Sequence, residues 1–260
     1  MLVVLLLSVP FAGFAADRLA YQGTHILTYE TMAKLASAFA EETGVALTVK
    51  GGGCADGVVV VESGRFEMGG LCCPLKSSEE VKGLVAHPVA RDIKVVIVNR
   101  ANPLRNLTSS QVRKIHQGKI TNWKEVGWID KPVAVIYRKH CLDREEPVRS
   151  FLGLDDALGN LAPRAIVVRT DKELIDYVGQ FPTAIGITSR VFARAKKVSI
   201  LSIDSVAPTV DNAESGRYPV TGTLFIVTKG EPDKRTRRFL DFVRSDRGRE
   251  IIRENLATVP

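Results

Sequence analysis

The chain contains four cysteines, Cys54, Cys72, Cys73 and Cys141, and these are the residues whose chemistry most needs explaining. Free thiolates are soft ligands and nucleophiles, whereas paired cysteines are crosslinks. Four cysteines allow three pairings. Cys72 and Cys73 are adjacent, and a bridge between them would be strained. His140-Cys141 with Asp143 contains the residue types of a thiol nucleophile and its base. Sequence neighbours rarely meet in that geometry, so the chain is not read as an enzyme. It holds no P-loop, no dinucleotide fingerprint and no His-Glu-x-x-His, which removes the common cofactor enzymes; no cofactor is expected. Arg138 can offer a bidentate fork to an oxyanion, with a surface salt bridge as its ordinary alternative. Gly51-Gly52-Gly53 lets a ligand approach the backbone closely. His87 and His116 read as surface or packing histidines. Asp56 reads as a helix-start residue, or as an acceptor for a protonated ligand.

These residues need elements to position them. A chain of 260 residues suffices for one large or two modest domains. With 45% apolar and 25% charged residues it is globular in composition. A net charge of +7 suits an anionic ligand or an acidic surface. The Lys and Arg residues read as scattered, without a basic helical stripe, so nucleic acid is not expected as a partner. Residues 1–16 read as a signal peptide, with an apolar run Leu2 to Leu7 and cleavage near Ala15 or Ala16. The alternative is a buried strand; the run is shorter than the ~18–20 apolar residues of a membrane span. An exported chain meets an oxidising environment, where disulfides are the default.

Strands and helices alternate, which predicts an α/β architecture. Asp17 to Tyr21 is a predicted strand, and Gly23-Thr24-His25 a turn. Met32, Leu35, Ala36 and Phe39 then give an amphipathic helix that Thr28 could cap and Gly44 ends. Val45 to Lys50 and Ile93 to Val98 are strands. Thr108 with Gln111 forms a capping box for a helix that stops at Gly118. Further strands are predicted at Ala134–Tyr137, Ala165–Val168, Ala184–Thr188 and Leu224–Val227. One long C-terminal helix would bury Phe239, Phe242, Val243, Ile251 and Ile252. Trp123, in the turn Ile120-Thr121-Asn122-Trp123, reads as structural.

Several segments in order are similar to the periplasmic phosphate-binding proteins of phosphate-specific ABC transporters, the PstS-like proteins of type II periplasmic binding fold. They are the opening strand with its Gly-Thr turn, Gly51–Cys54, Phe66–Lys76, Gly83–Ala90 with the strand to Asn99, and Asn106 through Gly127. Ala184–Ile187, Val206–Asn212 with Gly216–Val220, and Phe239–Val243 with Thr258-Val259-Pro260 complete the set. The resemblance spans nearly the whole chain after residue 16. It implies two α/β lobes joined by a two-segment hinge, with residues 17–92 plus 222–260 in lobe 1 and 97–218 in lobe 2. It also implies a small oxyanion held between the lobes of a periplasmic protein, expected to be a monomer; no lipobox cysteine follows the signal, so a free rather than lipid-tethered protein is expected.

The family holds its anion with hydroxyls, a carboxylate, an arginine and backbone N–H groups at helix N-termini. The resemblance places Thr24, His25, Gly53, Arg138 and Arg144 at the ligand. His25 departs from the usual Ser or Thr, Cys54 replaces a ligand serine, and Cys72 and Cys73 stand at a Ser/Asp-type position and its neighbour. Cys141 falls at the first serine of a third loop that is about one residue shorter here. The four cysteines therefore belong to three cleft loops. Two readings stay open: thiols binding a thiophilic centre such as arsenite through Cys54, Cys72 and Cys141, or cysteines paired as structural disulfides around arsenate or phosphate. A zinc site using His25, His140 and the cysteines is a lesser variant. The partner would be an ABC permease, or a membrane histidine kinase if the protein senses arsenic.

Overall fold

The computed structural model describes residues 18–141, 144–194 and 196–260. The expected signal peptide at 1–16 lies outside them, as does Asp143.

The chain begins with β1 (Arg18–Thr24), which alternates inward at Leu19 and Tyr21. A short α1 (His25–Leu27) follows directly, so Thr24 ends the strand and His25 starts the helix where the sequence predicts a turn. The backbone kinks at Tyr29 and Glu30, the latter at φ 64°. It resumes as α2 (Ala33–Thr43), which ends on a left-handed Gly44 at φ 74°. Thr28 does not cap α2. Its hydroxyl donates back to the carbonyls of Gly23 (3.3 Å) and Thr24 (3.0 Å), because it stands inside the first helical turn and faces carbonyls there. β2 (Ala46–Gly52) pairs parallel with β1 and absorbs two of the three glycines expected in a loop. Then come α3 (Cys54–Glu62), β3 (Met68–Leu71) and α4 (Ser77–Glu80).

Glycines bring these pieces close together. A Cβ on Gly23 would lie 2.3 Å from the Gly70 nitrogen, and one on Gly57 would lie 2.7 Å from the Gly70 carbonyl oxygen. Helix α3 therefore sits against β1 and β3 at a distance only glycine permits.

The 16-residue β4 (Leu84–Asn99) leads into a second half of the molecule. There follow β5 (Asn106–Leu107), α5 (Ser109–His116), β6 (Ala134–Arg138), α6 (Pro147–Leu152), β7 (Ile166–Val168), α7 (Asp171–Gln180), β8 (Ala184–Ser189), β9 (Val198–Ile200), β10 (Ser202–Ile203) and α8 (Val210–Glu214). The chain returns through β11 (Thr221–Lys229) to α9 (Lys234–Arg244) and α10 (Asp246–Arg253). The predicted capping box at α5 is present: the Thr108 hydroxyl accepts from the Gln111 amide (3.1 Å), and the Gln111 side chain accepts from the Thr108 amide (2.8 Å). The single C-terminal helix is in fact two. Ser245 is extended at ψ 165° and caps α10 by accepting from the Gly248 amide, which breaks the run between Val243 and Ile251. Basic residues also gather at the start of α9 (Lys234, Arg235, Arg237, Arg238) more than a scattered reading implies, although Arg235 and Arg237 face Asp233 and Glu231.

The main sheet runs β2-β1-β3-β11-β4-β8-β6-β7, with β9 also on β4. The first half of β4 pairs with β11 and the second half with β8 and β9, all antiparallel. Two hydrophobic cores result. One contains Leu19, Phe39, Met68 and Phe239; the other contains Val96, Trp123, Ile136 and Leu174. These are two α/β lobes, and β4 and β11 lie at their junction. There a buried ion pair, Lys94 with Asp92 at 2.7 Å, is held by the Ser189 hydroxyl donating to Asp92 (2.6 Å) and the Tyr218 hydroxyl donating to the Lys94 carbonyl (2.9 Å). Burial alone would push the Lys94 ammonium down, but Asp92 and then Glu146 outweigh it and hold the group charged.

Candidate functional site: an interlobe cleft beside a thiol cluster

A cleft of about 1020 Å³ opens between the lobes. On one side it is lined by Thr24, His25, Gly53 and Cys54, on the other by Arg138, His140, Thr170 and Asp171. The topology explains why. β1, β2 and β3 are mutually parallel, so their carboxyl ends emerge together, and α1 and α3 start there. In open α/β sheets that edge is where ligands sit. Gly53 is extended at ψ 179°, and its N–H donates to the Asp56 carboxylate at 2.7 Å. Asp56 is thus a helix-capping residue, and Cys54 is the first residue of α3, at the positive end of its dipole. Thr24 is buried and His25 is exposed, its ring against Gly51.

Cys72 and Cys73 follow β3 in a bend. In a continuing strand their side chains would point to opposite faces; the bend lets both turn toward Cys54. Cys141 follows β6 with a left-handed backbone at φ 44°, an uncommon conformation outside glycine. All four cysteines are free thiols, and their Sγ atoms lie within 4.8 Å of one another. Cys54 and Cys72 are 3.3 Å apart, and the Cys72 amide donates to the Cys54 sulfur at 3.2 Å. His140 Nε2 stands 2.9 Å from Cys72 Sγ and 3.3 Å from Cys141 Sγ. Hydrogen bonding to Cys54 first, and to Cys73, lowers Cys141 to about 6. Cys54 is lowered to about 7, its contact with Cys141 opposing and those with Cys72 and Cys73 prevailing. Cys72 is lowered, chiefly by Cys141, while Cys73 is raised, chiefly by Cys141, and keeps its proton. Burial pushes His140 down, but its bonds to Cys141 and Cys72 raise it to about 10, so it is an imidazolium beside thiolate.

Arg138 ends β6 and pairs with Asp171 at 3.0 Å; the Thr188 hydroxyl fixes Asp171 from the other side at 2.7 Å. The Arg138 Nε is buried without a hydrogen-bond partner among the described residues. Arg144 does not join this group. Its guanidinium is buried and closes on the Glu79 carboxylate and the Pro74 carbonyl, and so ties the Cys141 loop to the segment after Cys73. The structure thus brings together Thr24, His25, Gly53, Cys54, Cys72, Cys73, Cys141 and Arg138, and leaves Arg144 aside as a brace. Thr170 and Asp171 escaped the sequence reading, and His140 was read in another role. Asp171 starts α7, whose capping box, Thr170 with Glu173, was a legible signal. His140 was weighed for a zinc variant and as a catalytic base, not as a partner of two thiols. The other histidines are packing residues: His116 is fully buried with Nδ1 2.8 Å from the Val112 carbonyl, and His87 meets Thr228 at 2.9 Å. Trp123 is buried, its indole donating to the Thr183 carbonyl at 2.9 Å.

The profile of the PBP (periplasmic binding protein) superfamily domain matches residues 27–247. A phosphate-binding protein PstS of Bacillus subtilis is 28% identical over 213 residues, covering 77% of this chain and 66% of the relative; the chain thus spans just under two thirds of its length. Among solved structures, a Clostridium perfringens protein with bound phosphate is 27% identical with a TM-score of 0.77, covering 94% of this chain and 100% of that one. An ABC-type phosphate transport receptor from Vibrio cholerae is 26% identical with a TM-score of 0.71 and the same coverage. The chain belongs to the PBP superfamily, with the two-lobed type II fold of its phosphate-binding members.

Proposed function

We propose that this chain is the extracytoplasmic solute-capturing component of an ABC-type uptake system, that it binds a tetrahedral oxyanion of the phosphate or arsenate class between its lobes, and that it is not an enzyme. The observation that carries this reading is the convergence of Thr24, the α3 N-terminus and Arg138 on one interlobe cleft. Helix-end amides and a guanidinium fork stabilise an oxyanion without a lysine cage. The names of the relatives above favour this ligand class. In this reading residues 17–92 with 222–260 close on residues 97–218 about β4 and β11, residues 1–16 are an export signal, the protein acts as a monomer, and its partner is an ABC permease. Among the described residues no helix is long and apolar enough to cross a membrane.

A second reading is favoured by one observation, the four free thiols in place of hydroxyl ligands. Here Cys54, Cys72 and Cys141 take arsenite: three S–H groups displace three hydroxyls from As(OH)₃, three As–S bonds form, three waters leave, and no oxidation state changes. Such a receptor would serve arsenic sensing through a membrane histidine kinase, or transport. Calorimetric titration of the reduced protein with phosphate, arsenate and arsenite decides between them. Phosphate or arsenate binding with all thiols still titratable supports the first reading. Arsenite binding with three thiols lost, abolished by Cys54→Ser with Cys141→Ser, overturns it for the second.

A further inference from the structure

Cys73 is the residue that neither ligand uses. An oxyanion has no need of thiols, and a trivalent centre has no need of a fourth. Yet the Cys73 sulfur lies in the same cluster as the other three, and its side chain is among the most enclosed, at 1% exposure. We propose that Cys54, Cys72, Cys73 and Cys141 form a closed tetrathiolate site for a thiophilic divalent d¹⁰ metal ion of the zinc class, beside the cleft that Cys54 lines. The site does not depend on an oxyanion binding in that cleft.

The geometry suits such an ion. A Zn–S bond of ~2.3 Å places the sulfurs of a tetrahedron about 3.8 Å apart. Here the Sγ atoms span up to 4.8 Å and the closest pair stands at 3.3 Å, so an ion is accommodated by adjustments of an ångström or less. Four sulfurs and no oxygen or nitrogen donor within the group select zinc-type ions over hard cations. Cys54, Cys72 and Cys73 are buried, which fits a site with every position taken by protein, as distinct from one that keeps an open position for chemistry. The surroundings offer donors to the sulfurs: the Cys72 amide to Cys54, and His140 Nε2 between Cys72 and Cys141. Such outer contacts orient thiolates and offset their charge. Cys141 holds a left-handed backbone that brings its sulfur into the group, a local cost that a bond to metal would offset.

The charge balance is also favourable. The protons that the thiols still hold go to solvent, no oxidation state changes, and one divalent ion bound by four thiolates leaves a complex of charge −2. That is the charge of a phosphate dianion, and the start of α3, which favours an anion, lies against it. The metal complex thus supplies from the protein's own side chains the negative charge that the cleft architecture suits.

The test uses the full chain, reduced, freed of metal by a chelator and titrated with cobalt(II) and then zinc(II). One equivalent of cobalt is expected to give the intense near-ultraviolet sulfur-to-cobalt bands and visible bands of tetrahedral thiolate coordination, and one equivalent of zinc to abolish them. Cys73→Ser is expected to lose ~100-fold or more in zinc affinity. If that variant does not fold, alkylation of the wild-type protein followed by mass spectrometry serves instead, with one equivalent of zinc protecting all four cysteines. Absence of thiolate–cobalt bands, undiminished zinc affinity in Cys73→Ser, or protection of three cysteines or fewer would overturn the proposal. Phosphate and arsenate titrations of the same metal-free preparation report separately on the oxyanion reading, which can fail while the metal site stands, and the reverse.

Discussion

The two walls of the cleft differ in kind. The side from β1, α3 and β3 carries helix-end amides, glycines and three buried thiols, Cys54, Cys72 and Cys73, with Cys141 reaching them from the loop after β6. The wall from β6 and α7 presents Arg138, His140 and Asp171, groups that are charged and partly open to solvent. In the proposed oxyanion reading the second wall supplies Arg138, and the first supplies Thr24 and the α3 N-terminus. The first, at the positions where the family resemblance expects hydroxyls, offers soft sulfur. The strand ends fix where side chains meet, while the side chains decide what they meet, which is why the two proposed readings can share one fold.

The largest effect would come from breaking the support the walls share. β4 lies between β11 and β8, which carry the strands of the two walls, and there Lys94 and Asp92 are paired out of solvent. Lys94→Met leaves the Asp92 charge buried alone and is expected to cost about 3–5 kcal/mol in urea unfolding. Adding Asp92→Asn should recover most of that. If Lys94→Met is neutral, the hinge pair is not holding the lobes.

Next in size is a pH effect confined to the lobe of the charged wall. Burial holds His116 at about 4, the bond to the Val112 carbonyl opposing. Its folded value lies below the ordinary 6.5, so its contribution is complete above pH 6.5 and is lost as pH falls from 6.5 toward 4. The loss should reach about 3 kcal/mol. Trp123 and Trp128 lie in that lobe with ring centroids 5.5 Å apart, so their fluorescence reports its unfolding. His116→Phe should flatten the slope between pH 6.5 and 4; an unchanged slope would assign it to other groups.

The comparison of the walls is sharpened by Arg138→Ala. Removing a charge-assisted contact should weaken phosphate or arsenate binding by ~10–100-fold in calorimetry and leave arsenite affinity within about threefold. Equal loss for all three ligands would mean that the walls act as one. The smallest effect is Thr108→Ala at the start of α5, on the lobe of the charged wall. It removes the cap from the Gln111 amide and should cost about 1 kcal/mol of stability without changing any affinity.

Several of these features were legible in the sequence because they depend on residues close together along the chain. Thr108 and Gln111 are three apart and cap each other, Gly44 ends α2, and Asp56 reaches back to Gly53. The alternation of strands and helices and the ordered resemblance led to the two-lobed fold. The misreadings were also local. The break at Ser245 interrupts a continuous apolar stripe, and Thr28 has the composition of a cap without the position of one.

The sequence alone determined that four cysteines stand where a family resemblance expects ligand loops, and that Arg138 survives there. Only the tertiary structure decided that their sulfurs meet within 4.8 Å, that His140 lies between two of them, and that Arg144 braces Glu79 across 65 residues. Local periodicity specifies which face a residue occupies. Which distant faces come together depends on strand order and on the close glycine contacts of Gly23, Gly57 and Gly70, and those interactions join residues that no local spacing relates.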